Sequence, residues 1–264
     1  KATAGTRAPW GVKRVPVKNE NVDGEWLIPT GAKDDSALLY IHGGAWFLGS
    51  TNTHRRMVGT LAKKAGIRAL SINYRLAPEH PFPAALEDCQ SAYAWLLTTG
   101  VNPDRLIVAG DSAGGNLALA LLVSLRDQGK PLPAGAVGLS PATDLTGSGD
   151  SYRTRRQLDP YFNNMKSGSL SVDYLGGSDP RNPLVSPLFA DLAGLPPLLL
   201  QAGDHEILLD DSVRFGEKAR AAGVQAEVEI WPGMFHVFEL YTFLPEARQA
   251  IESIARFIRS RLDK

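Results

Sequence analysis

The chain contains 264 residues, which is enough for one large domain or two small ones. Apolar residues make up 44% of it and charged residues 21%, and 28 basic side chains balance 28 acidic ones. This is the composition of a globular protein, and the zero net charge argues against a large nucleic-acid-binding or anionic-membrane surface. The single cysteine, Cys89, excludes an intramolecular disulfide and a cysteine-based zinc site.

The sequence carries no evident targeting or membrane signal. Residues 1–10 lack the apolar core of a signal peptide. The uncharged stretch 116–125 is about half as long as a helix that crosses a bilayer. We therefore expect a cytoplasmic protein without stable membrane insertion.

The N-terminal part predicts an antiparallel hairpin. Residues 12–17 alternate between apolar and polar side chains, and a second apolar run covers residues 26–28. Between them lies Asp23-Gly24, a common turn sequence. We expect the hairpin to turn at these two residues.

Short apolar runs then alternate with helical periods. In residues 86–96 and 251–258, apolar side chains recur at spacings of three and four, which is typical of helices packed on one face. Alternating strands and helices predict an α/β fold with a mostly parallel central sheet and helices on both faces. The predicted strands are 37–41, 68–72, 105–109, 134–139, 197–201 and 224–231.

Residues 143–175 interrupt this alternation. They follow a predicted strand and contain Gly147-Ser148-Gly149-Asp150, three arginines and the aromatic pair Tyr161 and Phe162. In open α/β sheets, ligands bind beyond the carboxyl ends of the strands, so an irregular insertion there is a candidate cap.

The segment Gly110-Asp111-Ser112-Ala113-Gly114 has the Gly-x-Ser-x-Gly pattern of a nucleophile elbow, and it lies between a predicted strand and an apolar helix. The alternative is a tight helix start in which Ser112 only caps the helix.

A serine nucleophile needs a base, most often histidine. In an α/β-hydrolase the order is serine, acid, histidine, and of the five histidines only His236 follows both Ser112 and a candidate acid at a strand end.

The acid is expected after strand 197–201, where four carboxylates compete. Asp210 and Asp211 lie where the next helix begins and are interpreted as its N-cap and first-turn charges. Asp204 and Glu206 remain, and spacing alone does not separate them.

The oxyanion of the reaction intermediate needs fixed N–H donors, and three backbone amides are candidates. Gly43 and Gly44 follow strand 37–41, and glycine lets the backbone approach a ligand closely. Ala113 begins the elbow helix, whose N-terminus favours an anion.

These segments resemble the carboxylesterases of the bacterial hormone-sensitive lipase family over nearly the whole chain. The matching motifs are His42-Gly43-Gly44, Gly110 to Gly115, Tyr74-Arg75-Leu76-Ala77-Pro78-Glu79 and Trp231-Pro232-Gly233-Met234-Phe235-His236. In related esterases the acid lies about thirty residues before the histidine and precedes an acid pair, which implies Glu206 rather than Asp204. The Tyr74 segment is expected to hold the oxyanion loop.

The resemblance implies one α/β-hydrolase domain over residues 1–264, with a small cap at about 143–175. The sequence departs from the family in two places. Ala45 replaces the third glycine of the oxyanion segment. Relatives carry about two N-terminal cap helices, and we expect this cap to be incomplete at residues 1–10. We expect Trp46, Tyr161 and Phe162 to line the substrate pocket.

We expect a serine carboxylesterase that hydrolyses short- to medium-chain acyl esters through an acyl-enzyme. Its substrates are expected to be small molecules. No metal or organic cofactor is implied, and the family suggests a homodimer. One alternative is a non-catalytic small-molecule receptor on the same fold, against which His236 argues. The other is an amidase or peptidase, which commonly adds a propeller or a larger lid than 264 residues can hold.

Overall fold

One sheet of eight strands organises the part of the chain that the structure describes. The computed structural model describes residues 6–164 and 172–263. The strands are β1 (Val12–Lys18), β2 (Asp23–Pro29), β3 (Lys33–Ile41), β4 (Ile67–Ile72), β5 (Leu106–Asp111), β6 (Gly135–Leu139), β7 (Leu198–Gly203) and β8 (Ala226–Trp231). Their order across the sheet is β1-β2-β4-β3-β5-β6-β7-β8, in which β2 pairs antiparallel with both β1 and β4 and all other neighbours pair parallel.

Helices cover both faces of this sheet, as the sequence predicts. The first and last long helices pack on one face and contact each other, whereas α2, α3 and α6 pack on the opposite face. The helices are α1 (Thr51–Ala65), α2 (Ala84–Thr98), α3 (Ala113–Asp127), α4 (Ser151–Thr154), α5 (Val172–Leu175), α6 (Leu209–Ala221) and α7 (Pro245–Leu262). Short 3-10 turns cover Pro103–Arg105, Pro187–Phe189 and Phe238–Leu240.

The central strand β3 shows how the two apolar layers arise. Successive side chains of a strand point to opposite faces. Leu38 and Tyr40 therefore contact the layer of α1 and α7, whereas Leu39 and Ile41 contact the layer of α2 and α3. All four are fully buried, so β3 is covered on both sides. This burial holds the carboxyl end of β3, where the oxyanion segment begins, in a rigid frame.

The hairpin of β1 and β2 forms, but the predicted turn position is wrong. The chain turns at residues 19–22, and Asp23 and Gly24 are the first residues of β2. Gly24 pairs with Val17 on one side and with Ile72 of β4 on the other. A Cβ at Gly24 would overlap the carbonyl oxygen of Ser71, so this glycine serves a close strand contact instead of a turn.

The chain between β6 and β7 is mostly irregular. It contains only α4, α5 and one 3-10 turn among its described residues, while 165–171, inside the predicted cap, lie outside the described part of the chain. At the N-terminus, residues 1–5 also lie outside the described part of the chain. The Thr6 amide donates a 2.9 Å hydrogen bond to the carbonyl oxygen of Asn52 at the start of α1. Among the described residues, no helix combines the length and apolar character needed to span a membrane.

Candidate active site

Ser112 lies in a strained turn between β5 and α3. Its backbone has φ of +52°, a conformation that costs a non-glycine residue about 1–3 kcal/mol. The neighbouring glycines make the turn possible. A Cβ at Gly110 would overlap the carbonyl group of Gly114, and a Cβ at Gly114 would overlap the carbonyl oxygen of Ile41. The elbow therefore places the Ser112 side chain at the carboxyl end of the sheet.

The loop after β8 brings His236 to this serine. His236 Nε2 lies 2.9 Å from Ser112 Oγ, and the His236 side chain is buried. The loop is attached to the end of β7, since the His205 amide donates to the carbonyl oxygen of Met234 at 2.9 Å. Two neighbouring strands thus position the imidazole and the residues that orient it.

Glu206 faces the other nitrogen of this imidazole. Its Oε1 lies 3.9 Å from His236 Nδ1, and these two buried atoms have no other partner among the described residues. The second oxygen, Oε2, accepts hydrogen bonds from Ser140 Oγ (2.7 Å) and the Gly203 amide (3.1 Å). The carboxylate is therefore held in place by two donors and aimed at the ring.

Asp204, the other candidate acid, turns away from His236. Its Oδ1 accepts a 2.7 Å bond from the Gly233 amide, and its carboxylate is partly exposed. Asp204 thus shapes the turn that precedes His236. Asp210 and Asp211 both lie in the first turn of α6, as expected, but neither is its N-cap, because Leu208 occupies that position.

The Gly43 amide is not available to a substrate, so its prediction as an oxyanion donor is wrong. It donates at 3.0 Å to Oδ1 of Asp111, the residue before the nucleophile. Among bonds between described residues, the amides of Gly44, Ala45 and Ala113 have no acceptor. Gly44 (φ +126°) and Ala45 (φ +53°) both adopt positive φ, which turns this segment back over the elbow. The structure therefore leaves the amides of Gly44 and Ala113 free to bind an oxyanion, and it adds the Ala45 amide as a third candidate donor.

A buried polar network lies behind the oxyanion segment. Besides Gly43, Asp111 Oδ1 binds the hydroxyl of Tyr40 at 2.7 Å, and Asp111 Oδ2 lies 3.1 Å from His54 Nε2. Burial by itself raises the pKa of Asp111, but the charge and hydrogen bond of His54 outweigh it and lower that pKa. Burial likewise lowers the pKa of His54, yet Asp111 more than reverses this and raises it. The two side chains form a buried ion pair.

His42 is neutral beside this pair. Burial, together with the nearby charge of His54, lowers the pKa of His42 to about 4. Its ring stacks on Tyr74 with 4.4 Å between centroids, and the Tyr74 hydroxyl donates to the His42 carbonyl oxygen at 2.9 Å. Tyr74 thus holds the oxyanion segment as the resemblance implies.

The His54–Asp111 pair makes a prediction about stability. In His54→Gln the Asp111 carboxylate stays buried without a cation, which costs about 3 kcal/mol in the free energy of unfolding. A raised histidine pKa stabilises the fold fully below about pH 6.5, and this contribution falls as the pH rises through the folded pKa. The difference between wild type and His54→Gln should therefore shrink above pH 6.5.

Urea unfolding at pH 6.0, 7.5 and 9.0 measures this difference. His80→Gln is the matched control, because His80 is exposed, and we expect it to stay within about 0.5 kcal/mol of wild type. A gap between wild type and His54→Gln that stays constant from pH 6.0 to 9.0 would contradict the buried ion pair.

The three residues expected in the substrate pocket occupy different environments. Trp46 is only 3% exposed and stacks on Tyr174 of α5, with 4.5 Å between ring centroids. Tyr161 and Phe162 lie beside the imidazole, with their centroids 5.9 and 5.0 Å from that of His236. The structure therefore brings Tyr161 and Phe162 to the site and places Trp46 in a buried stack beside it.

Sequence reasoning missed the positioning residues His54 and Ser140. Ser140 directly follows β6, and residues after parallel strands meet at one edge of the sheet, so its position was a usable signal. His54 lies within a polar helix, 57 positions from Asp111, and nothing in the local sequence indicates that contact.

Comparison with known proteins agrees with this geometry. Residues 38–240 match the family described as alpha/beta hydrolase fold. The chain is 46% identical to an acetyl-hydrolase of Streptomyces hygroscopicus over 237 residues, which cover 89% of this chain and 79% of that protein. It is 41% identical to an esterase of Acinetobacter venetianus over 255 residues, covering 93% of this chain and 81% of the relative.

A solved structure shares the fold over almost the whole chain. It is an esterase of the bacterial hormone-sensitive lipase family, 46% identical, with a TM-score of 0.94 over 97% of this chain and 87% of that one. The chain therefore belongs to the alpha/beta hydrolase fold family, among the carboxylesterases of the bacterial hormone-sensitive lipase group.

Proposed function

We propose that this serine carboxylesterase hydrolyses esters of short acyl chains through an acyl-enzyme formed on Ser112. The observation that carries the proposal is the arrangement around one imidazole. His236 Nε2 contacts Ser112 Oγ at 2.9 Å, and the buried carboxylate of Glu206 faces its Nδ1. A serine, a histidine and an acid in this order and geometry activate the hydroxyl as a nucleophile.

The first half of the reaction forms the acyl-enzyme. His236 Nε2 takes the proton of Ser112 Oγ while this oxygen attacks the ester carbonyl carbon. The amides of Gly44, Ala45 and Ala113 stabilise the negative carbonyl oxygen. His236 then gives its proton to the alcohol oxygen, the carbon–oxygen bond breaks and the alcohol leaves.

The second half returns the enzyme to its starting state. A water molecule loses a proton to His236 Nε2 and attacks the acyl carbon, and Ser112 leaves with the proton that His236 returns. Glu206 stabilises the imidazolium in both halves and keeps a proton on Nδ1. The 3.9 Å separation of Oε1 and Nδ1 is expected to shorten when the imidazolium forms, because catalytic hydrogen bonds tighten in the reacting complex.

The preference for short acyl chains rests on the small cap expected at about 143–175. Three hydrogen bonds support a cap that is attached to the core. Asp211 Oδ2 accepts bonds from the amides of Thr143 and Asp144 at 2.7 and 2.8 Å, and Asp159 Oδ2 accepts from the Ile207 amide at 3.0 Å. The relative named acetyl-hydrolase supports the same preference. A homodimer and a cytoplasmic location stay predictions.

A series of p-nitrophenyl esters from acetate to palmitate tests the function. We expect the highest kcat/KM at acetate or butyrate and a value at least about tenfold lower at palmitate, because long chains bury poorly in a small pocket. In parallel, a serine-directed fluorophosphonate should add one label per chain, located by peptide mass at Ser112. No turnover and no label, with ligand binding retained, would favour the receptor alternative. Faster cleavage of anilides than of esters would favour the amidase.

A further inference from the structure

The proposed mechanism gives the two halves of the ester different surroundings. His236 protonates the alcohol oxygen, so the alcohol portion has to lie on the imidazole side of Ser112. The acyl portion stays bonded to Ser112 after the alcohol has left. Side chains around His236 therefore decide which alcohols fit, and side chains elsewhere decide which acids fit.

The imidazole side is lined by aromatic rings. Phe162 and Tyr161 meet the edge or face of the His236 ring at 5.0 and 5.9 Å between centroids. Phe235 precedes the histidine and lies 6.4 Å from Tyr161. Tyr241 continues the row, at 5.4 Å from Phe235.

We call these four rings, together with Phe243, the aromatic strip. Phe243 lies 5.9 Å from Tyr241 and is 69% exposed, and Tyr161 is 43% exposed. Exposed and contiguous apolar surface is uncommon on a protein unless it binds something. The strip runs without a break from the buried imidazole to the protein surface, so a ligand bound at His236 can extend along it.

Two sets of hydrogen bonds hold the strip in position. The hydroxyl groups of Tyr161 and Tyr241 are 2.7 Å apart and join the predicted cap segment to the chain that follows His236. The buried Asp159 accepts the Tyr161 amide on Oδ1 and the Ile207 amide on Oδ2, both at 3.0 Å. Tyr161 is therefore anchored, through Asp159, to the segment of chain that carries Glu206.

We propose that the aromatic strip is the alcohol-binding subsite and that this enzyme prefers esters of arylalkyl alcohols, such as benzyl esters, over aliphatic alcohols of equal size. The proposal rests on the serine esterase mechanism above. Aromatic rings favour an aromatic ligand by edge-to-face and offset contacts that a saturated ring of equal size does not make. The strip offers such contacts at several points along the alcohol, and these contacts need no charged side chain.

Benzyl acetate and cyclohexylmethyl acetate form the test pair, since both alcohols carry seven carbons and differ in aromaticity. We expect kcat/KM to favour benzyl acetate by about 2- to 12-fold, the ratio expected from one aromatic pair. In Tyr161→Leu and Phe162→Leu this ratio should fall toward one. Tyr161→Phe keeps the ring and should keep the ratio, and Trp10→Leu, an exposed ring far from His236 in the sequence, is the remote control.

A second pair assigns the preference to one side of the ester. Methyl phenylacetate and methyl cyclohexylacetate carry the same two rings on the acyl side, and their ratio should not respond to Tyr161→Leu. If it responds as strongly as the alcohol-side ratio, the strip binds the acyl portion and the proposal is wrong. A benzyl to cyclohexylmethyl ratio near one in the wild type also overturns it.

Turnover of p-nitrophenyl acetate by the same preparations distinguishes a failure of the alcohol subsite from a failure of the esterase function. If p-nitrophenyl acetate is hydrolysed and the benzyl preference is missing, the esterase function stands and the alcohol subsite falls. If p-nitrophenyl acetate is not hydrolysed and Ser112 takes no label, the proposed function fails and the subsite fails with it.

Discussion

Ser112→Ala is expected to lower kcat for p-nitrophenyl acetate by roughly 10⁵- to 10⁶-fold, because the variant has no hydroxyl to form the acyl-enzyme. The residual rate reflects only the oxyanion donors and substrate binding. The fold should be kept, since the Ser112 side chain contacts only His236 among the described hydrogen bonds. Steady-state kinetics and urea unfolding of the same sample measure both effects.

Ser260→Ala is the matched control, because Ser260 is an exposed serine of α7 whose hydroxyl has only Phe257 and Arg261 of the same helix as partners among the described residues. Its kcat should stay within about twofold of wild type, as expected for a surface substitution. A Ser112→Ala variant that retains more than about 1% of wild-type kcat, after contaminating esterase is excluded by fluorophosphonate labelling, would contradict the nucleophile assignment.

Glu206→Gln is expected to lower kcat by about 10⁴-fold with a much smaller change in KM. The amide has the shape of the carboxylate, but its NH₂ group donates to His236 Nδ1 and drives the ring proton to Nε2. In that tautomer Nε2 no longer accepts the proton of Ser112. The variant also loses the negative charge that stabilises the imidazolium, so both causes act in the same direction.

Asp204→Asn provides the matched comparison for the acid. The asparagine retains an oxygen that accepts the Gly233 amide, so the turn before His236 is kept and kcat should fall by less than about threefold. Kinetics on both variants at pH 8 decide between the acids. A larger loss in Asp204→Asn than in Glu206→Gln would reverse the assignment.

The nucleophile elbow was readable from the sequence because it is a local structure. Gly110 and Gly114 flank Ser112 within five residues, and the strand and helix on either side follow from hydrophobic periodicity. The same holds for the parallel strands and for His236, whose place is set by chain order and by the end of a strand. Short-range patterns suffice when every requirement lies within one strand, one turn or one helix.

The turn of the first hairpin shows where this limit lies. Asp23-Gly24 has the composition of a turn, but Gly24 belongs to β2 because β4 packs against it so closely that a side chain would overlap Ser71. The preference of a dipeptide for a turn is small compared with the pairing of β2 on both of its edges. The partner strand, about fifty positions further along the chain, is not visible in the local pattern.

Chain order, motif spacing and periodicity thus determined the fold class, Ser112, His236 and the short list of acids for this protein. Between the two acids the family resemblance favoured Glu206, and the tertiary structure shows that Glu206 faces the imidazole while Asp204 binds Gly233. Only the tertiary structure decided that the Gly43 amide is used by Asp111. The same is true of the His54–Asp111 pair. These outcomes depend on which way a side chain or an amide points once distant segments have packed, and such directions arise from contacts between residues that the sequence separates.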